Sequence, residues 1–230
     1  MSSSTLRLVV TAGAAALLAP AIGSLAGCNI VAPVAFLVQG EPEREAQFLL
    51  NKDLPTVIFV DDRSNRIPFA NNSVRREIAG TATETLLGAE ALLTVISPGD
   101  AIGAASSRDR HGELLSISGI GEAVGASQIV YVEVSRFAET PDGITPRPTA
   151  TCMVSVLDLN QKKRVFPTGS EMGQKAIPVT ASLGEVDPML LRSQSARTKL
   201  HQQLAREMGE EIAKLFYKHK VYDMGDRLNG

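Results

Sequence analysis

The sequence predicts an α/β fold of layered α+β type: one domain with a mixed sheet of about four to five strands packed with three helices. Three observations predict it. Short apolar, β-branched runs such as Thr56-Val57-Ile58-Phe59-Val60 alternate with segments whose apolar residues recur every three to four positions. Asp, Asn, Gly and Pro gather between these runs, where turns belong. The chain then closes on a long amphipathic helical pattern over 193–220. Composition agrees: 230 residues, 44% hydrophobic and 21% charged, at a net charge of −2, exclude wholesale disorder and give no basic excess for nucleic acid. Aromatic residues make up 4% with no Trp, which weighs against stacking on sugars or bases, and two cysteines make no disulfide framework.

The elements follow in order. Thr56–Val60 reads as a buried strand stopped by the polar loop Asp61-Asp62-Arg63-Ser64-Asn65. Asn72 or Ser73 offers a helix N-cap, and Val74, Ile78, Ala82 and Leu86, four apart, form one apolar face. Ala91–Ile96 reads as a second buried strand. Ser97-Pro98-Gly99-Asp100 caps a short helix or turn through Ala105, which ends in the charged loop Ser107-Arg108-Asp109-Arg110-His111. Leu114–Val124 predicts a helix closed by Gly125-Ala126-Ser127. A third strand runs over Gln128–Phe137, with Val132 and Val134 alternating against Glu133 and Ser135, so one face there is wet. The turn-rich stretch from Thr140 to Pro148 leads to a fourth strand, Ala150–Leu159, and a hairpin returns through Arg164-Val165-Phe166. Ile177–Ala181, interrupted by Pro178, adds an edge strand. In the final helix Leu200, Leu204, Met208, Ile212, Leu215 and Phe216 make the buried stripe, and His201 and His219 fall on its polar side.

The N-terminus carries a different message. Arg7 is the only charged residue before Glu41, an Ala-rich apolar run extends to Ile22, and Pro20, Gly23 and Ser24 break it. A positive start, a short apolar stretch and small residues at a boundary form the signal-peptide pattern. Leu25-Ala26-Gly27-Cys28 then resembles the lipobox of bacterial lipoproteins. The resemblance implies cleavage between Gly27 and Cys28, with a diacylglyceryl group on the Cys28 sulfur and an acyl chain on its amino group, and no other cofactor. Two or three acyl chains bury enough CH₂ groups for stable anchoring, where one is marginal. The competing readings are a plain membrane span across 8–38 and a simple cleaved secretory signal. Asn29 rather than Asp after the cysteine leans, by the same resemblance, towards the periplasmic face of the outer membrane. The chain thus divides into a lipoprotein signal peptide at 1–27, a lipidated tether at 28–47 and an α/β periplasmic domain at 48–230.

Gly121-Glu122-Ala123-Val124-Gly125-Ala126-Ser127 running into Ile129-Val130-Tyr131-Val132-Glu133-Val134, together with the element order, is similar to a group of envelope proteins. These are periplasmic domains of the CsgG, LpoB and TolB-N-terminal type, and the resemblance covers about Val57 to Tyr217. It implies a lipoprotein that binds envelope proteins, admits self-association and touches no nucleic acid. The roles implied are those of a scaffold or accessory subunit in secretion, envelope biogenesis or peptidoglycan-synthase regulation. No site motif of the group maps onto particular residues here.

Local chemistry is sparse. Asp61-Asp62 stands where α/β folds place sites, but adjacent residues on an extended chain point oppositely, which favours a solvated turn with Arg63 and Asn65. Arg108, Arg110 and His111 could take an anion, or be solvated. The glycines at 119, 121 and 125 precede a strand instead of following one, so they serve close packing and not a dinucleotide. The three histidines include no metal-spaced pair, and Cys152 sits in an apolar run as an inert thiol. No catalytic or metal residue is assigned, and the expectation is a non-enzyme. The stretch from Glu139 to Thr149, with Asp142 at its turn, is the best exposed contact loop. An envelope hydrolase using Asp61, Asp62 or His111, and a small-ligand or glycan-binding lipoprotein, are the rival readings.

Overall fold

A computed structural model describes residues 43–68, 72–109, 115–168 and 175–221. The elements are β1 (Glu43–Arg44), β2 (Thr56–Asp61), α1 (Asn72–Gly88), β3 (Val95–Ile96), α2 (Pro98–Asp109), α3 (Ile117–Val124), β4 (Gln128–Ala138), β5 (Thr149–Asp158), β6 (Lys163–Phe166) and β7 (Ile177–Ser182). A 3₁₀ turn over Pro188–Arg192, α4 (Gln194–Ala213) and β8 (His219–Lys220) complete the described chain. The α/β layered class is the predicted one, with six strands in the main sheet and four α-helices among the described residues.

The sheet has the order β3-β2-β4-β5-β6, and β7 also pairs with β5. Strand β2 runs parallel to β3 and β4, whereas β4–β5, β5–β6 and β5–β7 are antiparallel. Strands β6 and β7 share one edge of β5: Phe166 pairs at Val156, and Ile177 begins at Val154. Pro178 is tolerated because its missing N–H falls on a strand with only one sheet neighbour.

Strand alternation divides the side chains between two faces. Ile58, Val60, Val130, Val132, Cys152 and Val154 enter a large core with α1 and α4, while Val57, Phe59 and Ile129 meet Ala101, Ile102, Ala105 and Ile120 of α2 and α3. Helices α1 and α4 approach closely because α4 presents Gly209: a Cβ there would lie 2.7 Å from the Ile78 carbonyl oxygen. Gly121 does the same for α3, where a Cβ would come within 2.5 Å of Ile129 Cδ1, so this glycine serves packing, whereas Gly125, with open space around it, closes α3 in the left-handed region at a φ of 74°.

Three sequence expectations need correction. Ala91–Ile96 is not a six-residue strand, since only Val95–Ile96 pairs with β2. Helix α1 closes through Ala91 N–H to Leu86 O and Glu90 N–H to Leu87 O around Glu90 in the left-handed region, and this cap consumes the start of the run. The short helix expected to end at Ala105 continues to Asp109. The last helix stops at Ala213 and does not reach Lys220; Gln47 and Phe48 donate to the Leu215 carbonyl oxygen, and the chain turns there. Leu215 and Phe216 are buried by that turn, with Phe216 meeting Phe166 and Phe166 meeting Phe48 at ring-centroid distances of 5.9 and 5.3 Å. Residues 43–47, assigned from sequence to the tether, include β1, which pairs with β8.

Candidate functional site

Two polar constellations are built at strand ends. The first lies at the C-terminal end of β2. Asp61 is the last residue of that strand and shares the face of Phe59, which places it beside Tyr131 of the neighbouring β4. Asp61 is only 3% exposed, so the sequence expectation of a solvated carboxylate fails. Its charge is compensated: Tyr131 OH donates to Oδ2 over 2.9 Å, the Arg63 backbone N–H donates to Oδ1, and Arg63 Nε lies 3.3 Å from Oδ2. Burial, then the Asp61 charge and the hydrogen bond to it, push the Tyr131 hydroxyl well above its ordinary range. Arg63 also donates to the Leu115 carbonyl oxygen, pinning the β2 loop to the start of α3. Asp62 points elsewhere and accepts from the backbone N–H groups of Arg66 and Ile67, the turn role expected of it. Arg75 Nε donates to the Val60 carbonyl oxygen, and its guanidinium stands over the Phe59 ring. Phe59, Asp61, Asp62, Arg63 and Arg75, with Asn65 and Ala105, line a cleft of about 330 Å³. Asp61 and Asp62 both reach it, yet each carboxylate is engaged in holding the strand end and its loop.

The second constellation sits at the far end of β4. A bulge between Val134 and Arg136 shifts the register by one and turns Phe137 into the α1/α4 core. There Phe137 meets the His201 ring edge-on, with centroids 5.3 Å apart. His201 is 4% exposed, which corrects its placement on a polar face. Its Nε2 lies 2.7 Å from Glu139 Oε1, and Arg197 Nε donates to the same oxygen over 2.8 Å. His219 is not on the helix at all but in β8. Glu139 begins the loop between β4 and β5, so two side chains of α4 fix the root of that loop. Its tip is ordered locally by Asp142, which accepts from the backbone N–H groups of Ile144 and Thr145; those bonds hold its carboxyl below the ordinary range. The outgoing limb is tied by Val186 N–H to Pro146 O and by Arg147 to Glu185. On this scaffold Ile144 is 85% exposed, and Met189 and Leu190 of the adjoining 3₁₀ turn are exposed as well.

Of the residues singled out from sequence, Asp142 is therefore a loop-forming turn residue. The side chain of Arg108 and residues Arg110, His111, Gly27 and Cys28 lie outside the described residues. Cys152 is buried, and burial followed by the Asp62 charge pushes its thiol up to about 12. Sequence reasoning missed the Glu139–Arg197–His201 cluster, because its members are 58 and 62 residues apart. A faint signal was available: His201 directly follows Leu200 and falls three before Leu204 on the apolar stripe. Among the described residues, no group of His, Cys, Asp and Glu could hold a metal, and no helix is long and apolar enough to cross a membrane.

The chain matches no family model and no curated protein. Among solved structures it is similar to the PelC dodecamer from Paraburkholderia phytofirmans, at 12% identity over 76% of this chain and 98% of that one, with a TM-score of 0.39. A lipoprotein from Neisseria meningitidis is similar at 11% identity over 66% of this chain and 98% of that one, with a TM-score of 0.36. LpoB of E. coli is similar at 12% identity over 80% of this chain and 89% of that one, with a TM-score of 0.33.

Proposed function

We propose that this protein is an exported lipoprotein, anchored through Cys28 in the cell envelope, that works as a non-catalytic scaffold or accessory subunit for envelope proteins. The lipobox-like Leu25-Ala26-Gly27-Cys28 supports the anchor, and Asn29 supports the periplasmic face of the outer membrane. The observation that carries the binding role is the loop between β4 and β5. It is rooted by Glu139 on Arg197 and His201, capped by Asp142, and shows Ile144 to solvent; Met189, also exposed, stands three residues after Val186, which is bonded to Pro146 of the loop. Large apolar side chains held out on an ordered loop are what a contact surface requires. The lipid adds effective concentration, so a modest contact suffices. Secretion, envelope biogenesis and peptidoglycan-synthase regulation are the assemblies the sequence resemblance suggests.

Two measurements test this. Intact mass of the membrane-extracted protein should show cleavage before Cys28 and added acyl chains; a full-length unmodified chain would end the lipoprotein reading. A photoreactive residue at position 144 should crosslink to an envelope protein or to a second copy, and Met189→Asp should weaken that adduct without lowering Tm. A lipidated protein that forms no adduct through position 144 removes the scaffold reading.

A further inference from the structure

One edge of the main sheet is left open. β7 pairs with β5 alone, from Thr149 opposite Ser182 to Val154 opposite Ile177. Which of its backbone groups are spent follows from the alternation of an antiparallel ladder. The Leu183 N–H donates to the Pro148 carbonyl oxygen, one step beyond that register, so Ala181, Val179 and Ile177 turn their N–H and C=O groups to β5. Pro178, Thr180 and Ser182 turn theirs outward. Pro178 has no N–H, but Thr180 and Ser182 each present a donor and an acceptor, about 6.8 Å apart along the strand. Those outward groups make no hydrogen bond among the described residues. They face a groove: a cleft of about 350 Å³ runs beside Thr180 and Ser182, and one of about 190 Å³ continues it past Pro178. Arg44 and His219 of the β1/β8 ribbon and Glu211 and Lys214 of α4 wall both clefts, and the ribbon is not bonded to β7.

From this we infer that the groove takes an extended, acidic segment of a partner polypeptide, which pairs with β7 as an added strand. Unpaired main-chain donors and acceptors at strand spacing recognise another main chain. An antiparallel segment exchanges both bonds with Thr180 and with Ser182 and gives a single one to the Pro178 carbonyl oxygen. Pro178, lacking the second bond, limits the register and blunts the edge against indiscriminate pairing. A second copy is a worse occupant, because its own edge would carry a whole sheet and its helices into a slot already walled by the ribbon and α4. A single extended chain brings only its own width. Charge sets the sign of the segment. Glu211 and Lys214 neutralise each other, and Glu207 and Lys220 at the Ser182 end add one charge of each sign. Arg44 lines both clefts, as Thr180 does, and its exposed guanidinium has no ion pair among the described residues. A carboxylate beside the residue opposite Thr180 supplies one. Pairing at β7 depends neither on the lipid at Cys28 nor on the Ile144 loop.

The test is hydrogen exchange read at single amides on the full chain. The probe is a blocked hexapeptide of alternating Thr and Val with one Thr replaced by Glu. At millimolar peptide the Thr180 and Ser182 amides should exchange about tenfold more slowly, and the Ile144 amide should not change. The same peptide N-methylated throughout should slow neither. Replacing its Glu by Lys should weaken binding about threefold, and Arg44→Ala should erase that preference. Thr180→Pro removes an outward donor without touching the bonds to β5, and should abolish the protection of Ser182; should that variant not fold, the N-methylated peptide puts the same question. A peptide that slows neither amide, an N-methylated one that slows both, or protection that survives in a folded Thr180→Pro chain overturns the inference. So does slow exchange without peptide: lost on removal of residues 222–230, it means that the chain's own end fills the groove, and rising with protein concentration, it means that a second copy does. Equal binding of the Glu and Lys peptides overturns the acidic partner.

Discussion

Single residues here are most informative where backbone or charge is held against its ordinary preference. Glu90 closes α1 at a φ of 55°, a conformation that glycine adopts without the Cβ penalty. Glu90→Gly should therefore stabilise the domain by about 1 kcal/mol, read as a higher midpoint in urea at unchanged slope. Tyr131 gives a pH dependence with a definite sign. Its folded-state pKa is raised, so the unfolded chain loses the proton first, near the ordinary value of 10.0. The stabilisation is present in full below that pH and drains away as pH rises through the folded value. Thermal unfolding followed from pH 9 upwards should show this decline, and Tyr131→Phe should flatten it. The sequence foresaw the turn role of Asp62 but not the burial of Asp61, although the two are neighbours at the end of one strand. Whether a carboxylate at a strand end is wet depends on what the next strand offers, and the hydroxyl of Tyr131 lies 70 residues away.

Between elements, the closest fit is that of α1 on α4. A Cβ on Gly209 would meet Ile78 O, Thr81 Cβ and Ala82 N, two of them backbone atoms that cannot swing aside. Gly209→Ala should cost about 1–3 kcal/mol through overpacking, against the helix propensity that alanine would otherwise add. Calorimetry on that variant and on Gly80→Ala, where a Cβ meets nothing, separates packing from propensity. The strands and helices with strong periodicity were legible in the sequence: β2, β4, β5, the apolar face of α1 and the stripe Leu200, Leu204, Met208 and Ile212 of α4 stand as read, with His201 added to the buried side. What was not legible is where α4 stops, because that stop is tertiary, whereas α3 ends at Gly125 as read. α4 ends where residues 47 and 48 claim the Leu215 carbonyl oxygen. The loop root is likewise a contact between distant elements, and Glu139→Ala, which removes the shared acceptor of Arg197 and His201, should cost about 2 kcal/mol in chemical denaturation.

At the scale of the whole molecule, the two ends of the sheet differ in what they show to solvent. One carries the exposed Leu49 and Leu93 and the other the braced loop, and β4 runs between them as a strut. Helices α2 and α3 cover only the β2 side of the second face; over β5 that face carries Thr149, Thr151 and Met153, with Thr151 bonded to Thr180 of β7. The pairing of β1 with β8 has a mechanical consequence. The chain from Cys28 enters the fold through Glu43 and Arg44, which are held to Lys220 and His219 and by the Lys218 bridges. A pull on the chain preceding Glu43 therefore loads this two-residue ribbon before any force reaches β2. The ribbon is a fuse: it can peel while the core strands, anchored separately, keep their register.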